Sequence, residues 1–380
     1  MNPNECARYS RARKGGHVPG VEATPLRANT RADSTPLAPG TSTSVDAAGT
    51  LPAVDPRRER IASLRRLLVE RFGPHVLLDW TQPSSSFSAC AECVPTQCVL
   101  NPRALPTELL GLDLALGGGI PRGRLTELAG PPYSGKRTLA SWLVRTTQRI
   151  GGWAAYLDAA HGADFDRLHR WGVNLREFLI ALPRSLPEAL ELARLLLLAD
   201  ALDLVVLDLP PHWATRSELE RGLRQLRPLL RGRSTALVVV RDRESGPGLA
   251  AAQLRLWLEP LAQLVLPNPF GSTMLPSGLR VRIHVERSHR WPLCEPPVPV
   301  EFSEREGVRL ALERIDLALA GGIIVQHPLG LIFANTVLGR SREAAAARLA
   351  SDPALWSQLE EELRARWLSL ARPLTKRLTR

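Results

Sequence analysis

The chain has 380 residues, 44% of them hydrophobic, and a formal net charge of +11 with a pI near 10.4. It is long enough for one large domain and a small one, and no apolar run reaches the length of a membrane span. Arg8, Arg11, Arg13 and Lys14 are followed by no apolar stretch, which argues against a secretory signal and predicts a cytoplasmic protein without membrane partners.

The positive charge favours an anionic partner, and nucleic acid is the first candidate. The alternative is a general drift towards arginine, because only three of the 49 basic residues are lysines. The arginines are spread along the chain and form no block in the sequence. The charge therefore suggests a class of partner and locates no binding site.

Residues 1–54 are rich in Ser, Thr, Pro, Gly and Ala, which predicts a disordered tail. Residues 55–77 follow as an amphipathic helix. Asp55 and Pro56 suit its start, and Gly73 and Pro74 suit its end. Its apolar residues recur at helical spacing on one face: Ile61, Leu64, Leu68 and Phe72. This face needs a surface to dock on, which is either the core of the same chain or a neighbouring subunit.

Residues 78–103 are predicted to form a cysteine-containing linker. Three cysteines, Cys90, Cys93 and Cys98, are spaced as in part of a zinc site. A fourth ligand would have to come from a distance, from Cys294, His75 or Cys6. Incidental thiols in an insertion are the alternative, and the small number of cysteines agrees with a reducing compartment.

Residues 104–306 have the pattern of an α/β domain. Near-continuous apolar strands alternate with helices, which predicts a mostly parallel sheet covered by helices on both faces. The predicted strands lie at 125–129, 153–158, 202–208 and 236–240, and the predicted helices at 138–150 and 187–199. Residues 307–372 form a smaller unit, with helices at 309–320 and 341–370 around a short β-like stretch.

A phosphate-binding loop lies between the first of these strands and its helix. It contains the pattern G-x-x-x-x-G-K, and Lys136 is the one lysine between Lys14 and Lys376. The glycines let the backbone wrap an anion at a helix N-terminus, and a slim ammonium suits the β- and γ-phosphates. The nucleotide-binding candidates in this segment are Gly130, Pro131, Ser134, Gly135, Lys136, Arg137 and Thr138. A glycine-rich turn that merely starts a helix is the alternative.

Asp208 ends the apolar strand 202–208, at the position where P-loop proteins place the carboxylate that holds the Mg²⁺ shell. The motif also asks for Ser or Thr directly after the lysine, as a Mg²⁺ ligand. Arg137 occupies that position, and Thr138 comes one residue late. ATP is therefore the expected cofactor, whereas the place of Mg²⁺ stays open.

The order of these motifs resembles the bacterial RecA recombinase family. The resemblance begins with the segment 111–128 directly before the loop and continues through 156–161, 171–173, 203–208 and 306–308 to 330–370. It implies a RecA-like P-loop NTPase core with an N-terminal helix and a small α/β C-terminal domain. It also implies that the helix at 57–72 joins subunits into a filament or docks on a related RecA subunit.

The departures from the family lie in its working parts. The family's catalytic glutamate, which activates the attacking water, aligns with Ala160, so no catalytic residue is assigned. The aromatic residue that stacks on adenine aligns with Arg167, which can also stack on a base, and Asp164 matches an acid in the same region. The family's Asn-Gln pair, whose glutamine senses the γ-phosphate, aligns with Arg241 and Asp242.

The resemblance implies single-stranded DNA as a partner, in recombination, repair and the SOS response. The two DNA-binding loops would lie at 210–217 and 243–248, and both are shorter than in RecA. Their candidate contacts are Arg216, Arg243, Gly246 and Gly248, with trimmed surface loops as the alternative.

Two functions follow from these residues. One is a recombination and repair protein that binds ATP and single-stranded DNA and hydrolyses ATP weakly or not at all. The other is a catalytically inactive RecA paralogue, a structural or regulatory partner in DNA repair. A P-loop protein acting on another substrate is disfavoured by the RecA-like C-terminal domain.

Overall fold

The computed structural model describes residues 56–78, 101–213, 215–243, 246–267, 274–288 and 298–375. The predicted tail and most of the cysteine-containing linker lie outside these residues. Cys90, Cys93 and Cys98 lie outside them too, so the zinc prediction stays untested.

A sheet in the order β11-β10-β9-β8-β3-β7-β6-β4-β5 forms the centre of the described structure. Its strands are β3 (Leu125–Gly130), β4 (Ala154–Asp158), β5 (Phe178–Ala181), β6 (Leu204–Leu209), β7 (Ala236–Asp242), β8 (Leu254–Pro267), β9 (Met274–Arg287), β10 (Val300–Ser303) and β11 (Gly307–Val308). The strands from β8 to β5 in this order run parallel, and β9, β10 and β11 are added by antiparallel pairing. The prediction of a mostly parallel sheet is confirmed.

Helices pack against both faces of the sheet, as the continuous apolar strands require. α3 (Lys136–Arg149) and α4 (Phe165–Arg170) pack on one face, where Trp142 and Trp171 meet edge to face at a centroid distance of 6.1 Å. α5 (Leu186–Leu198) and α6 (Arg216–Leu230) pack on the other. A short α2 (Leu110–Leu116) and a two-stranded sheet of β1 (Ala104–Leu105) and β2 (Ile120–Pro121) precede β3.

The predicted N-terminal helix is α1 (Pro56–Phe72). Its apolar residues Ile61, Leu64 and Leu68 are buried in the same core as α5 and β5. Leu77 then bridges Ala181 at the edge of the sheet. The sequence left two docking surfaces open for the apolar face of this helix, the core of the same chain or a neighbouring subunit. In the structure the face packs on the core of its own chain.

The C-terminal segment follows β11 as α7 (Leu310–Ala320), a three-stranded sheet of β12 (Val325–His327), β13 (Gly330–Phe333) and β14 (Thr336–Gly339), then α8 (Arg342–Ser351) and α9 (Pro353–Thr375). The single helix expected at 341–370 is therefore wrong. Pro353 starts a new helix, and the Asp352 carboxylate accepts hydrogen bonds from the amides of Ala354 and Leu355. Within the residues described, no helix is long and apolar enough to cross a membrane.

Candidate nucleotide-binding site

The predicted phosphate loop joins β3 to α3 and needs its two glycines for space. A Cβ on Gly130 would lie 2.4 Å from the Ser134 hydroxyl, and one on Gly135 would lie 2.8 Å from the ring of Phe302. Gly135 also has a φ of 84°, which favours glycine. The loop therefore turns tightly at the N-terminus of α3, where backbone amides favour an anion.

Lys136 is almost fully buried beneath this loop. Its ammonium donates to the Pro131 carbonyl oxygen at 2.8 Å and forms an ion pair with Asp242 Oδ1 at 2.5 Å. Burial lowers the pKa of Lys136, and the Asp242 carboxylate opposes that shift. The motif lysine is thus held by a carboxylate of its own chain.

Asp242 was not predicted to meet Lys136. It ends β7, the neighbour of β3 in the sheet, and its register partner is Gly130. The carboxyl ends of adjacent parallel strands meet at one edge, so an acid that ends a strand next to the P-loop strand was the available signal.

Arg137 lies against Asp208. Its Nε donates to Asp208 Oδ2 at 2.7 Å, and the Tyr156 hydroxyl donates to the same oxygen at 3.1 Å. Burial raises the pKa of Asp208 to about 6, while the Arg137 guanidinium acts in the opposite direction. The Arg137–Asp208 contact thus lies where the P-loop motif predicts a hydroxyl and a carboxylate around Mg²⁺.

This arrangement does not fit Mg²⁺. The metal needs near-octahedral oxygen ligands, but the motif hydroxyl is missing and a guanidinium already contacts the Asp208 carboxylate. A tethered cation and a free dication would also repel each other at this spacing. No group of three or more potential metal ligands occurs among the described residues.

A cleft of about 860 Å³ opens beside the loop, and the predicted Thr138, Asp164 and Arg167 line it. The Asp164 carboxylate accepts the Arg167 amide at the start of α4, at 2.8 Å, and lies 3.2 Å from the Arg167 guanidinium. Both residues therefore stabilise a helix start, whatever else they contact.

The position of the family's glutamate carries no acid in this chain. The nearby Asp158 carboxylate accepts the amides of Gly162 and Ala163, at 2.9 and 3.1 Å. Asp158 thus holds the turn that contains Ala160. The described acids that line the cleft are Asp164, Asp242 and Glu304, each within 4.0 Å of a cation.

Of the two arginines predicted to contact DNA, Arg243 is buried and Arg216 is exposed. Arg216 donates to the Gly248 carbonyl oxygen at 2.9 Å. Arg243 is 7% exposed, forms an ion pair with Glu286 at 2.6 Å and stacks on Trp257 at 4.5 Å from the ring centroid. Of the two predicted glycines, Gly246 has open space around its Cα.

Glu127 on β3, which the sequence analysis did not single out, anchors the segment around the second predicted DNA-binding loop, 243–248. Its fully buried carboxylate accepts Arg241 Nε at 2.7 Å and the Leu249 amide at 2.6 Å. A Cβ on Gly248 would lie 2.7 Å from Glu127 Oε2. An acid in the middle of an apolar strand was the signal for this role.

Comparisons with known proteins identify the family. The model of the RecA N-terminal domain matches residues 96–238. A RecA of Thermus thermophilus is 32% identical over 297 residues, which cover 70% of this chain and 84% of that protein. The chain belongs to the RecA family. RecA of Thermus aquaticus is 31% identical over 70% of this chain and 85% of its own, and RecA of Chloroflexus aurantiacus is 26% identical over 83% and 94%.

Among solved structures, a RadB recombinase matches with a TM-score of 0.41 and 23% identity, over 54% of this chain and 98% of that one. Because the chain belongs to the RecA family, Arg137 and Ala160 are departures from the family's own motifs. The chain keeps the P-loop lysine and the strand-end Asp208, while arginine and alanine stand at the two positions named above for the RecA hydroxyl and glutamate.

Proposed function

We propose that this RecA-family protein acts in DNA recombination or repair and holds ATP at its P-loop without a divalent cation. The contact between Arg137 and Asp208, at 2.7 Å, carries the proposal. A guanidinium on a carboxylate at the metal position supplies a permanent positive charge beside the phosphates. Mg²⁺ would have to displace that guanidinium before it could use Asp208.

The cleft supports a nucleotide in size and shape. Its volume of about 860 Å³ is in the usual range for small-molecule sites. The loop backbone and the N-terminus of α3 favour phosphate, and the buried Ser134 hydroxyl has no hydrogen-bond partner among the described residues. Lys136 must exchange some of its contact with Asp242 for the nucleotide, so we expect moderate affinity.

Hydrolysis is expected to be weak or absent. The loss of a general base costs about 10²–10⁴ in rate, and Ala160 cannot activate water. The loss of the metal removes the charge that normally stabilises the transferring phosphoryl group. The effects of the two losses on the rate are not additive, but together they favour a nucleotide that is bound as a structural ligand and is not hydrolysed.

We therefore favour the inactive paralogue, a structural or regulatory partner in DNA repair, over a fully active recombinase. Single-stranded DNA remains a proposed ligand at the two loops. Arg243 is buried against Glu286, so the exposed Arg216 and the backbone around Gly246 are the accessible contacts there. Docking on a related RecA subunit, or self-association, is proposed from the family resemblance.

Nucleotide binding tests the metal-free site. A fluorescent ATP analogue is titrated into the full chain in 5 mM Mg²⁺ or in excess chelator. We expect affinities within about threefold of each other, because Arg137 replaces the metal. Arg137→Thr restores the motif hydroxyl and should make binding tighter in Mg²⁺ than in chelator by about tenfold.

Arg184→Thr, at an exposed position that does not line the cleft, is the matched control and should behave as wild type. Strictly Mg²⁺-dependent binding by the wild-type chain would refute the tethered cation. ATP hydrolysis is measured with and without single-stranded DNA in the same samples. Clear DNA-stimulated turnover by the wild type would refute the inactive paralogue and return the chain to the active recombinases.

A further inference from the structure

A second cavity lies at the opposite edge of the sheet from the P-loop, where the parallel strands begin. Its volume is about 830 Å³. The arginine pocket, as we name it, is lined by Arg103, Arg122, Arg124, Arg227, Arg231 and Arg233. Arg124 directly precedes β3, Arg233 lies just before β7, and Arg227 and Arg231 lie at the end of α6.

No acid lines the arginine pocket, and only two of its arginines have acidic partners among the described residues. Arg122 pairs with Asp203 at 2.7 Å, and Arg233 pairs with Asp200 at 3.3 Å. For Arg103, Arg124, Arg227 and Arg231, no hydrogen bond or ion pair of the side chain occurs within the described ranges. The pocket therefore concentrates positive charge that the described protein does not neutralise.

The arginines of the pocket repel one another, and the packing of the described residues does not explain why they lie together. Arg124 and Arg227 are half-buried, and neither guanidinium has a carboxylate partner among the described residues. The helix dipole favours cations at the end of α6, but it accounts only for Arg227 and Arg231. Arg103 and Arg124 come from other elements. An anionic ligand would offset the repulsion among all four.

The arginines continue beyond the pocket as a row. Arg224, Arg227 and Arg231 follow each other at spacings of three and four residues, on one flank of α6. α6 spans Arg216 to Leu230, a length of roughly 22 Å at 1.5 Å per residue. Its first residue, Arg216, contacts the second loop at Gly248. The row from Arg224 to Arg231 spans seven residue steps, roughly 10 Å at 1.5 Å per residue, which suits successive phosphates of a polymer better than a single small anion.

We propose that the arginine pocket binds the phosphodiester backbone of a nucleic acid strand that runs along α6 from the two loops. This inference rests on the proposed nucleic-acid role, to which it adds a site outside the loops. Planar guanidinium groups bind phosphate oxygens in a bidentate way, which makes arginine well suited to the contact. The pocket reads no base sequence, so binding there is independent of sequence.

The test compares two triple variants of the full chain that remove the same charge. The pocket variant is Arg124→Gln, Arg227→Gln and Arg231→Gln. The control variant is Arg184→Gln, Arg340→Gln and Arg348→Gln, at exposed positions that line neither the cleft nor the arginine pocket. Binding of a labelled 30-nucleotide single strand is followed by fluorescence anisotropy between 50 and 300 mM NaCl. A duplex of the same length is measured in parallel.

We expect the pocket variant to bind the single strand on the order of 100-fold more weakly at 0.1 M salt, because three phosphate contacts are lost. The slope of log K against log salt should fall by about 2, at roughly 0.7 per contact. The control variant should keep the wild-type affinity and slope within the small effect of net charge. Replacing the three pocket arginines by lysine should restore most of the slope.

The outcomes separate this inference from the proposed function. If the pocket variant matches the control variant in affinity and salt slope, the proposal for the arginine pocket is overturned, and the proposed DNA role is not affected. A wild-type chain that binds neither single strand nor duplex overturns both the pocket and the proposed DNA role. Loss of the fluorescent ATP analogue by the pocket variant would mark a folding defect, and the lysine variant then decides whether charge at these positions carries DNA binding.

Discussion

The two edges of the central sheet treat positive charge in opposite ways. At the carboxyl edge, the motif cations Lys136 and Arg137 contact Asp242 and Asp208 at 2.5 and 2.7 Å. At the amino edge, Arg124 and Arg231 line the arginine pocket and have no acidic partner in the described structure. At the edge that resembles an active site, carboxylates of the same chain neutralise the cations. At the other edge, arginines without acidic partners can still bind an anion.

The comparison teaches that a motif locates a site but does not measure its strength. An ammonium already paired with a carboxylate must give up that interaction before it can bind phosphate, so part of its attraction is already used. An unpaired guanidinium keeps its full attraction for an anion. We therefore expect the carboxyl edge to respond mainly in stability when its cations are removed, and the amino edge mainly in binding.

Removal of Arg137 should give the largest effect on stability. Arg137→Ala leaves the fully buried Asp208 without its cation, and breaking such a pair from one side costs about 3–5 kcal/mol. The free energy of unfolding, measured with urea at pH 7.5, should fall by about that amount. Arg184→Ala, an exposed control, should change it by less than about 0.5 kcal/mol. Equal effects of the two changes would show that the Arg137–Asp208 pair contributes nothing to stability.

A pH series sharpens the same comparison through Asp208. Its pKa is raised from 3.8 to about 6 in the folded protein, chiefly by burial. The folded state therefore holds this proton more tightly, so the contribution to stability is complete below pH 3.8 and is lost as the pH rises through 6. The loss corresponds to roughly 2–3 kcal/mol. Asp208→Asn should lack this part of the pH dependence.

The difference between wild type and Asp208→Asn is measured by urea unfolding from pH 4 to pH 7. The buried Asp113, whose pKa is raised to about 7, titrates in both proteins and cancels. The exposed Glu361→Gln serves as a control for the loss of one carboxyl. A difference that stays constant with pH would mean that Asp208 remains charged in the folded chain.

Much of the fold could be predicted from the sequence, because each parallel strand is a continuous apolar run next to a helix. β7, for example, is predicted as a strand by its run of valines and leucine, although it extends two residues further to Asp242. The long antiparallel pair β8 and β9 was not predicted. Its exposed half carries apolar residues such as Leu266 and Met274 on a surface, where neither alternation nor a continuous run gives a signal.

The sites show the same division. Arg137 and Asp208 could each be assigned to the site, since each lies at a fixed position of a known motif, but their direct contact was not predicted. The pairing of Lys136 with Asp242 required the order of strands in the sheet. The arginine pocket could not be predicted at all, because Arg103 and Arg231 are 128 positions apart and only the fold brings them to one edge. The net charge located no site in the sequence, whereas the structure shows where six of the arginines lie together.

The smallest predicted effect on stability is at the amino edge and tests whether its charge is free. Arg231→Ala removes an exposed guanidinium that lies in the pocket with Arg124 and Arg227. Relief of their repulsion should leave stability unchanged or raise it by up to about 0.5 kcal/mol at 20 mM NaCl, and 0.5 M NaCl should remove the gain. Arg233→Ala, which breaks the surface pair with Asp200, should instead lower stability by a few tenths of a kcal/mol. If Arg231→Ala cost more than about 1 kcal/mol in urea unfolding, the guanidinium would have a structural role in the fold, and its charge would not be available for a phosphate.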